Sequence, residues 1–173
     1  ARHFGNALVI AVPGFFQRTQ LGLLVGMAQE LSIPLQGFVS QPVAAAVAGP
    51  EGLHLHVDIH LHRWEVSVLK VNGRLEFKEA FSVNEKGLEG LYKLWVQAAA
   101  AEFVRMTRFD PLHSAETEQE LYRRLPAVLA ALQQEQAATI ALPAGHSHYS
   151  ISLLRAMLLE TARPVYDELL AAV

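Results

Sequence analysis

Polar side chains recur at every second position in one short stretch of the chain, Leu53 to Val71. They are His54, His56, Asp58, His60 and His62. If the stretch is a strand, all five side chains share one face, because strand side chains alternate. Imidazole and carboxylate groups are ligands for zinc or nickel, which makes His54, Asp58 and His62 candidate ligands. Ligands two residues apart on one strand lie about 6–7 Å apart, so a site would need further ligands such as His146 and His148.

The same stretch permits other interpretations. Arg63 follows His62 and could hold an anion or a phosphate group. Asp58 could serve as a catalytic carboxylate, or as a structural residue in the hydrogen-bond network of a turn. The plain alternative is a solvated or partner-facing strand edge. Neither Ser67 nor Ser147 lies in the G-x-S-x-G context of a nucleophile, so the serines indicate no covalent catalysis.

The elements around these residues are predicted from hydrophobic periodicity. The polar stripe lies on the first strand of a hairpin that turns at His60-Leu61-His62-Arg63. The second strand, Trp64 to Val71, is rich in β-branched residues and ends at Asn72-Gly73, a strong hairpin turn signal. Another strand is expected within Arg74 to Val83. We therefore expect the candidate chemistry to sit on a small sheet.

Upstream of this sheet the pattern alternates between strand and helix. The apolar run Ala7 to Val12 predicts a strand buried on both faces. Thr19 is expected to cap a helix that reaches about Leu31. Gln36 to Ser40 predicts a second strand. The small-sided run Pro42 to Ala48 predicts a short helix that packs closely in the core.

Downstream of the sheet, helices dominate. The longest predicted helix covers Gly87 to about Met106. Ser114 is expected to cap the next helix, which Pro126 should kink or split. A strand follows at Ala138 to Leu142, and Ile151 to Val173 is predicted to be helical. The pattern indicates an α/β chain with a mixed sheet, flanking helices and a helical annex.

Composition restricts the classes of partner. The chain has 173 residues, 51% of them hydrophobic, and a net charge of −3. An acidic balance with scattered basic residues argues against a nucleic-acid or anionic-membrane partner. The absence of Cys excludes disulfides and thiolate metal sites, and favours a cytoplasmic location. No apolar run reaches the ~18–20 residues that span a bilayer, so we expect no membrane segment.

Three segments together resemble the nucleotide-binding domain of DnaK-type heat-shock chaperones, in the actin/hexokinase superfamily. Ile10 to Phe16 (IAVPGFF) resembles the family's I-T-V-P-A-Y-F, and Phe38 to Ala46 resembles I-N-E-P-T-A-A-A. Val57 to Leu69 (VDIHLHRWEVSVL) resembles the phosphate-loop hairpin D-L-G-G-G-T-F-D-V-S-I-L. Weaker matches follow in order at Glu102-Phe103, Ala138 to Ile140 and Leu154 to Ala156. The resemblance thus covers nearly the whole chain.

The resemblance implies part of an actin-like, ribonuclease-H-like ATPase fold. Residues 1–50 would form the end of lobe I with its crossing helix, and residues 51–173 most of lobe II. The opening part of lobe I, with its first phosphate loop, and the peptide-binding domain have no counterpart here. The strand Ala7 to Val12 would then lack neighbours, so we expect a homodimer or a strand exchange.

Most of the chemistry that the family uses is replaced. The three glycines of its phosphate loop correspond to His60, Leu61 and His62, where side chains would fill the phosphate space. The threonine that follows corresponds to Arg63, and the acid of N-E-P corresponds to Gln41. Only the first aspartate is kept, as Asp58. The positions of the family's adenosine contacts hold Pro126, Leu129, Ala130 and Gln133.

The resemblance therefore predicts a DnaK-like domain with a degenerate nucleotide site that does not hydrolyse ATP. It would carry no cofactor and act as a protein-interaction or regulatory module with a protein partner. The vestigial nucleotide positions would be Gln41, Asp58, His60, His62 and Arg63. One alternative is a divergent ATPase that uses ATP and magnesium and whose remaining lobe lies outside this chain. Another is a histidine-rich metal-binding module.

Overall fold

A computed structural model describes residues 7–84 and 87–171. Its elements confirm the predicted α/β class, with five helices and three small sheets in the described ranges. The chain divides into two compact units. The first comprises residues 7–58 and 65–82, and the second residues 59–64 and 83–171. The predicted division at residue 50 stays a prediction.

The first unit contains a parallel strand pair. Strand β1 (Leu8–Val12) pairs with β2 (Leu35–Ser40), and Val12 lies opposite Ser40, so the two carboxyl ends are level. Helix α1 (Arg18–Glu30) connects the strands, and the short helix α2 (Gln41–Ala46) follows β2. The order confirms the predicted strand, helix, strand and short helix.

Helix α1 begins earlier than predicted. Its N-cap is Gln17, and the predicted cap at Thr19 is wrong. The Gln20 side chain accepts a hydrogen bond from the Gln17 N–H at 3.1 Å, which closes the first turn two residues upstream of Thr19. Gln17 and Gln20 thus form the N-terminal cap that the sequence pattern assigned to Thr19.

Burial in the first unit differs from the prediction in two places. Strand β1 is not buried on both faces, because Val9 is 56% exposed and only Val12 is buried. Helix α2 is not a closely packed core helix either. It buries Pro42 and Ala46, but Ala44 and Ala45 are exposed. A helix this short can turn only one narrow face inward, so its small side chains are largely solvated.

The predicted hairpin is confirmed and extended to a sheet of three strands. These are β3 (Gly52–Ile59), β4 (Arg63–Val71) and β5 (Leu75–Asn84), in the order β3-β4-β5. Gly73 has φ +65° in the tight turn between β4 and β5, where glycine carries no steric cost. The central strand β4 is largely buried, whereas β3 lies at the edge of the sheet.

The second unit packs helices on an antiparallel strand pair. Helices α3 (Leu88–Thr107) and α4 (Ala115–Ala131) precede strands β6 (Ala137–Ala144) and β7 (Ser147–Leu154), and α5 (Arg155–Ala171) follows. Its core includes six side chains with 1% exposure or less. They are Phe103, Leu121, Leu125, Ile140, Leu142 and Leu153.

Two predictions for this unit are corrected. The helix predicted from Ile151 starts only at Arg155, because residues 147–154 form strand β7 and pair with β6 along its length. Helix α4 is not split at Pro126 but continues through it. The Ser114 cap is confirmed, since its hydroxyl accepts a hydrogen bond from the Thr117 N–H at 3.3 Å. Among the described helices, none has the length and apolarity needed to cross a bilayer.

Candidate functional site

The turn between β3 and β4 carries the residues that replace the expected glycines. The His60 N–H donates to the Arg63 carbonyl at 2.8 Å, which leaves Leu61 and His62 as the two turn residues. None of the residues from His60 to Arg63 has a positive φ. The turn therefore adopts dihedral angles that residues with a Cβ tolerate, and not those that require glycine.

The carbonyls of this turn cap helix α3. The Leu88 N–H donates to the His60 carbonyl at 2.9 Å, and the Glu89 N–H donates to the Leu61 carbonyl at 3.0 Å. The first N–H groups of a helix have no partner inside the helix and often bind anions. Here two of these N–H groups are bonded to carbonyls of the turn. Protein backbone therefore occupies the place of an anion at the start of α3.

Gly87 allows this close approach. A Cβ at this position would overlap the Arg63 nitrogen, the His60 carbonyl oxygen and the His62 nitrogen. Its φ of −76° is ordinary for any residue, so glycine is required by space and not by backbone conformation. The glycine that this turn requires is therefore Gly87, at the start of α3. The sequence pattern did not indicate this requirement.

The side chain of His62 points along the start of α3. Its Nδ1 lies 2.9 Å from Glu89 Oε2, and Lys93 Nζ lies 2.7 Å from Glu89 Oε1. The Lys93 hydrogen bond is the main cause that lowers the pKa of Glu89, and Glu89 in turn raises the pKa of Lys93. All three side chains are exposed, so the pairing orients His62 without contributing much stability.

The polar stripe on β3 is half-buried, and the apolar face of the strand is the exposed one. His56 Nε2 pairs with Asp58 Oδ2 at 2.9 Å, and the two side chains are 25% and 26% exposed. The apolar residues between them are 44% to 70% exposed: Leu53, Leu55, Val57 and Ile59. His56 and Asp58 are thus partly buried on the face of the polar stripe, and the interpretation of β3 as a solvated or partner-facing edge stays a prediction.

Glu65 is a candidate residue that the sequence analysis missed. With Leu61 and His62 as the turn, Asp58 lies opposite Glu65 on the same face of the hairpin. Glu65 is 3% exposed, and its Oε2 has no hydrogen-bond partner in the described part of the chain. Its carboxylate lies against Gly14, where a Cβ would overlap Oε1. Counting back from the turn would have paired the two acids.

Gln41 lies at the end of the parallel strand pair that Glu65 contacts. Gly14 follows β1, and Gln41 follows Ser40, the residue opposite Val12. The Gln41 Oε1 and Ser40 Oγ atoms are buried without a partner within residues 7–84 and 87–171. The first unit thus holds Gln41, Asp58 and Glu65, whereas His60, His62 and Arg63 belong to the second unit.

The candidate metal ligands are divided between the two units: His54 and Asp58 belong to the first, and His62, His146 and His148 belong to the second. In the described ranges, no group of three or more His, Asp or Glu side chains is arranged to hold a metal ion. His146 lies in the turn between β6 and β7 of the second unit, and His148 lies in β7. The alternation of histidines on β3 reflects strand geometry and is not by itself a coordination pattern.

Two of the four predicted adenosine positions line an apolar groove of about 300 Å³ in the second unit. Leu129 and Gln133 are in the groove, which is otherwise formed by side chains of α3, α4 and α5: Trp95, Leu132, Arg155, Leu158 and Leu159. The indole Nε1 of Trp95 donates to the Leu158 carbonyl at 3.0 Å. Pro126 and Ala130 are exposed and lie outside the groove lining.

No protein-family model matches this chain, and no match was found among curated proteins.

Proposed function

We propose that this chain is a DnaK-like domain of the actin-like ATPase fold whose nucleotide site is degenerate. It does not hydrolyse ATP, carries no nucleotide cofactor and serves as a protein-interaction or regulatory module. The turn at His60 to Arg63 is the observation that carries the proposal. The proposal rests on the resemblance of the three sequence segments and on the geometry of this turn.

A phosphate group does not fit this turn. Loops that cradle phosphates present successive backbone N–H groups to the ligand and keep side chains away from it. Here the His60 N–H is bonded to Arg63, and the carbonyls of His60 and Leu61 accept from the start of α3. The side chains of Leu61 and His62 are exposed and occupy the outside of the turn. The N–H groups of His60, Leu88 and Glu89 are thus bonded to backbone carbonyls and not offered to a phosphate.

The exposed apolar face of β3 supports a role in protein interaction. Leu53, Leu55, Val57 and Ile59 alternate along the strand, and Leu61 extends the row at the turn with 59% exposure. Contiguous exposed apolar residues of this kind are typical of surfaces that bind another protein. Burial of this surface by a partner would contribute a favourable free energy of about 25 cal/mol for each Å² that is removed from water.

Isothermal titration with ATP and with ADP, each in excess magnesium, tests the proposal. We expect no heat above that of dilution up to millimolar nucleotide. Magnesium chloride without nucleotide is the control for ion binding. Saturable binding in the micromolar range would contradict the degenerate site.

The acid pair of the first unit favours a second candidate function, that of a divergent ATPase. Carboxylate oxygens are the ligands that magnesium prefers, and Asp58 lies opposite the buried Glu65. This alternative predicts phosphate release by the intact protein that both Asp58→Ala and Glu65→Gln abolish. Glu79→Gln, at an exposed glutamate of β5, is the matched control. Absence of phosphate release would eliminate the alternative.

A further inference from the structure

We infer that the outer edge of β3 pairs antiparallel with β3 of a second copy of this chain. The inference deepens the proposed interaction role, on which it rests, by naming both the surface and the occupant. Strand β3 lies at one end of the order β3-β4-β5, and no described strand pairs with its outer side. An unpaired edge is a template for another strand.

The direction of the backbone groups on β3 follows from the turn. His60 bonds to Arg63, so its backbone groups face β4. Every second residue before it does the same, namely Asp58, His56 and His54. The intervening residues direct their N–H and C=O groups to the outer edge: Leu53, Leu55, Val57 and Ile59. The residues with exposed apolar side chains therefore also offer the unpaired backbone groups.

The sequence of β3 is complementary to itself when a two-fold axis passes through His56. Leu55 then lies opposite Val57 of the second copy, and Leu53 lies opposite Ile59 of the second copy. On the other face, His54 lies opposite Asp58 of the second copy, so polar side chains face polar side chains. Because the interface is isologous, each of these pairs occurs twice.

Other registers of the two β3 strands pair fewer residues or less compatible side chains. A shift by one residue would place histidines opposite leucines and would direct outer backbone groups away from each other. A two-fold axis at Val57 would place Leu53 opposite Leu61 and His54 opposite His60, beyond the end of β3 at Ile59. Only the axis at His56 pairs the whole run from Leu53 to Ile59.

Strand β3 also lacks the features that keep edges apart. Residues 52–59 contain no Lys, Arg or Pro, and Asp58 is the single charged side chain at neutral pH with neutral histidine. Edge strands of monomeric proteins usually carry lysine or proline, or are covered. The absence of these residues, together with the match of apolar to apolar and polar to polar side chains, favours a second copy as the occupant.

Sedimentation velocity of the intact protein tests the association. We expect the wild-type chain to sediment at twice its chain mass at tens of micromolar. Val57→Lys places a charge on the apolar face at a position that is 44% exposed, so the fold is kept while association weakens by about tenfold or more. Leu170→Lys, at a residue of α5 that is 71% exposed, is the control and should remain dimeric. A wild-type chain that is monomeric throughout this range would overturn the inference.

Cysteine substitution tests the register, because the chain contains no cysteine. Residues at a non-hydrogen-bonded antiparallel pair have Cα atoms about 4.5 Å apart, within the range that a disulfide spans. His56→Cys should therefore form a disulfide-linked dimer under mild oxidation. Val57→Cys should not, since its two copies are offset along the strands. Cross-linking of Val57→Cys alone, or of both variants equally, would overturn this register. Nucleotide titration tests the degenerate site separately from association. A chain that is monomeric and does not bind ATP would therefore refute the proposed dimer but not the proposed loss of nucleotide binding.

Discussion

At the scale of single residues, the best-defined electrostatic feature is a fork of two arginines on one glutamate in α4. Arg123 Nη2 lies 2.6 Å from Glu120 Oε1, and Arg124 also donates to this carboxylate. The Arg123 and Arg124 hydrogen bonds lower the pKa of Glu120 to about 2 from its usual 4.5. Glu120 is only partly exposed, but both arginine side chains reach solvent, so salt should weaken the interaction.

This ion pair predicts a pH dependence of stability. Because the folded-state pKa of Glu120 is below its unfolded value, its contribution is complete above pH 4.5 and is lost as pH falls to about 2. We expect Glu120→Gln to lower the urea midpoint at pH 6, and the difference from wild type to shrink as pH falls from 4.5 to about 2. Glu79→Gln serves as the exposed control. A difference that stays constant between pH 6 and pH 2 would show that Glu120 makes no such contribution.

At the scale of elements, the contact between the β3–β4 turn and the start of α3 depends on Gly87. A side chain there meets backbone atoms of His60, His62 and Arg63, which cannot rotate away. We expect Gly87→Ala to lower the free energy of unfolding by about 1–3 kcal/mol. Gly26→Ala in α1 is the matched control. No atom lies within 4 Å of its added Cβ, so it should raise stability by about 0.4–1 kcal/mol. Urea denaturation of both variants measures the difference, and equal effects would contradict the close contact.

The elements show what periodicity could and could not predict. The hairpin turn, the long helix α3 and the Ser114 cap were predicted, because local signals specify them. Strand β7 was missed because its residues 147–154 carry mixed polarity and become a strand only by pairing with β6. The two strands are joined by the two-residue turn Gly145-His146, a hairpin signal that was interpreted only as a loop.

Burial was the least predictable property of the candidate site. The alternation on β3 was predicted correctly as a strand, but the alternation alone did not show that the apolar face is the more exposed one. Glu65 was missed because a carboxylate in a β-branched strand resembles an outward-facing residue, whereas the structure buries it against Gly14. The position of Asp58 opposite Glu65, by contrast, can be derived by counting residues back from the turn.

At the scale of the whole molecule, the described part of the chain is α/β and divides into two compact units. Gln41 and Asp58 lie in the first unit, and the turn residues His60, His62 and Arg63 lie in the second. We propose that the turn at His60 to Arg63 does not bind phosphate, because its backbone is paired with the start of α3. That pairing engages the carbonyls of His60 and Leu61.

The most direct measurement is a titration of the ¹⁵N-labelled chain with ATP and magnesium, observed by amide chemical shifts. The informative signals are those of His60, Leu61, His62, Gly87 and Leu88, because these residues form the turn and the start of α3. The proposed degenerate site predicts that none of these amides shifts up to millimolar ATP. Saturable shifts confined to these residues would show that the turn binds phosphate and would contradict the proposed loss of nucleotide binding.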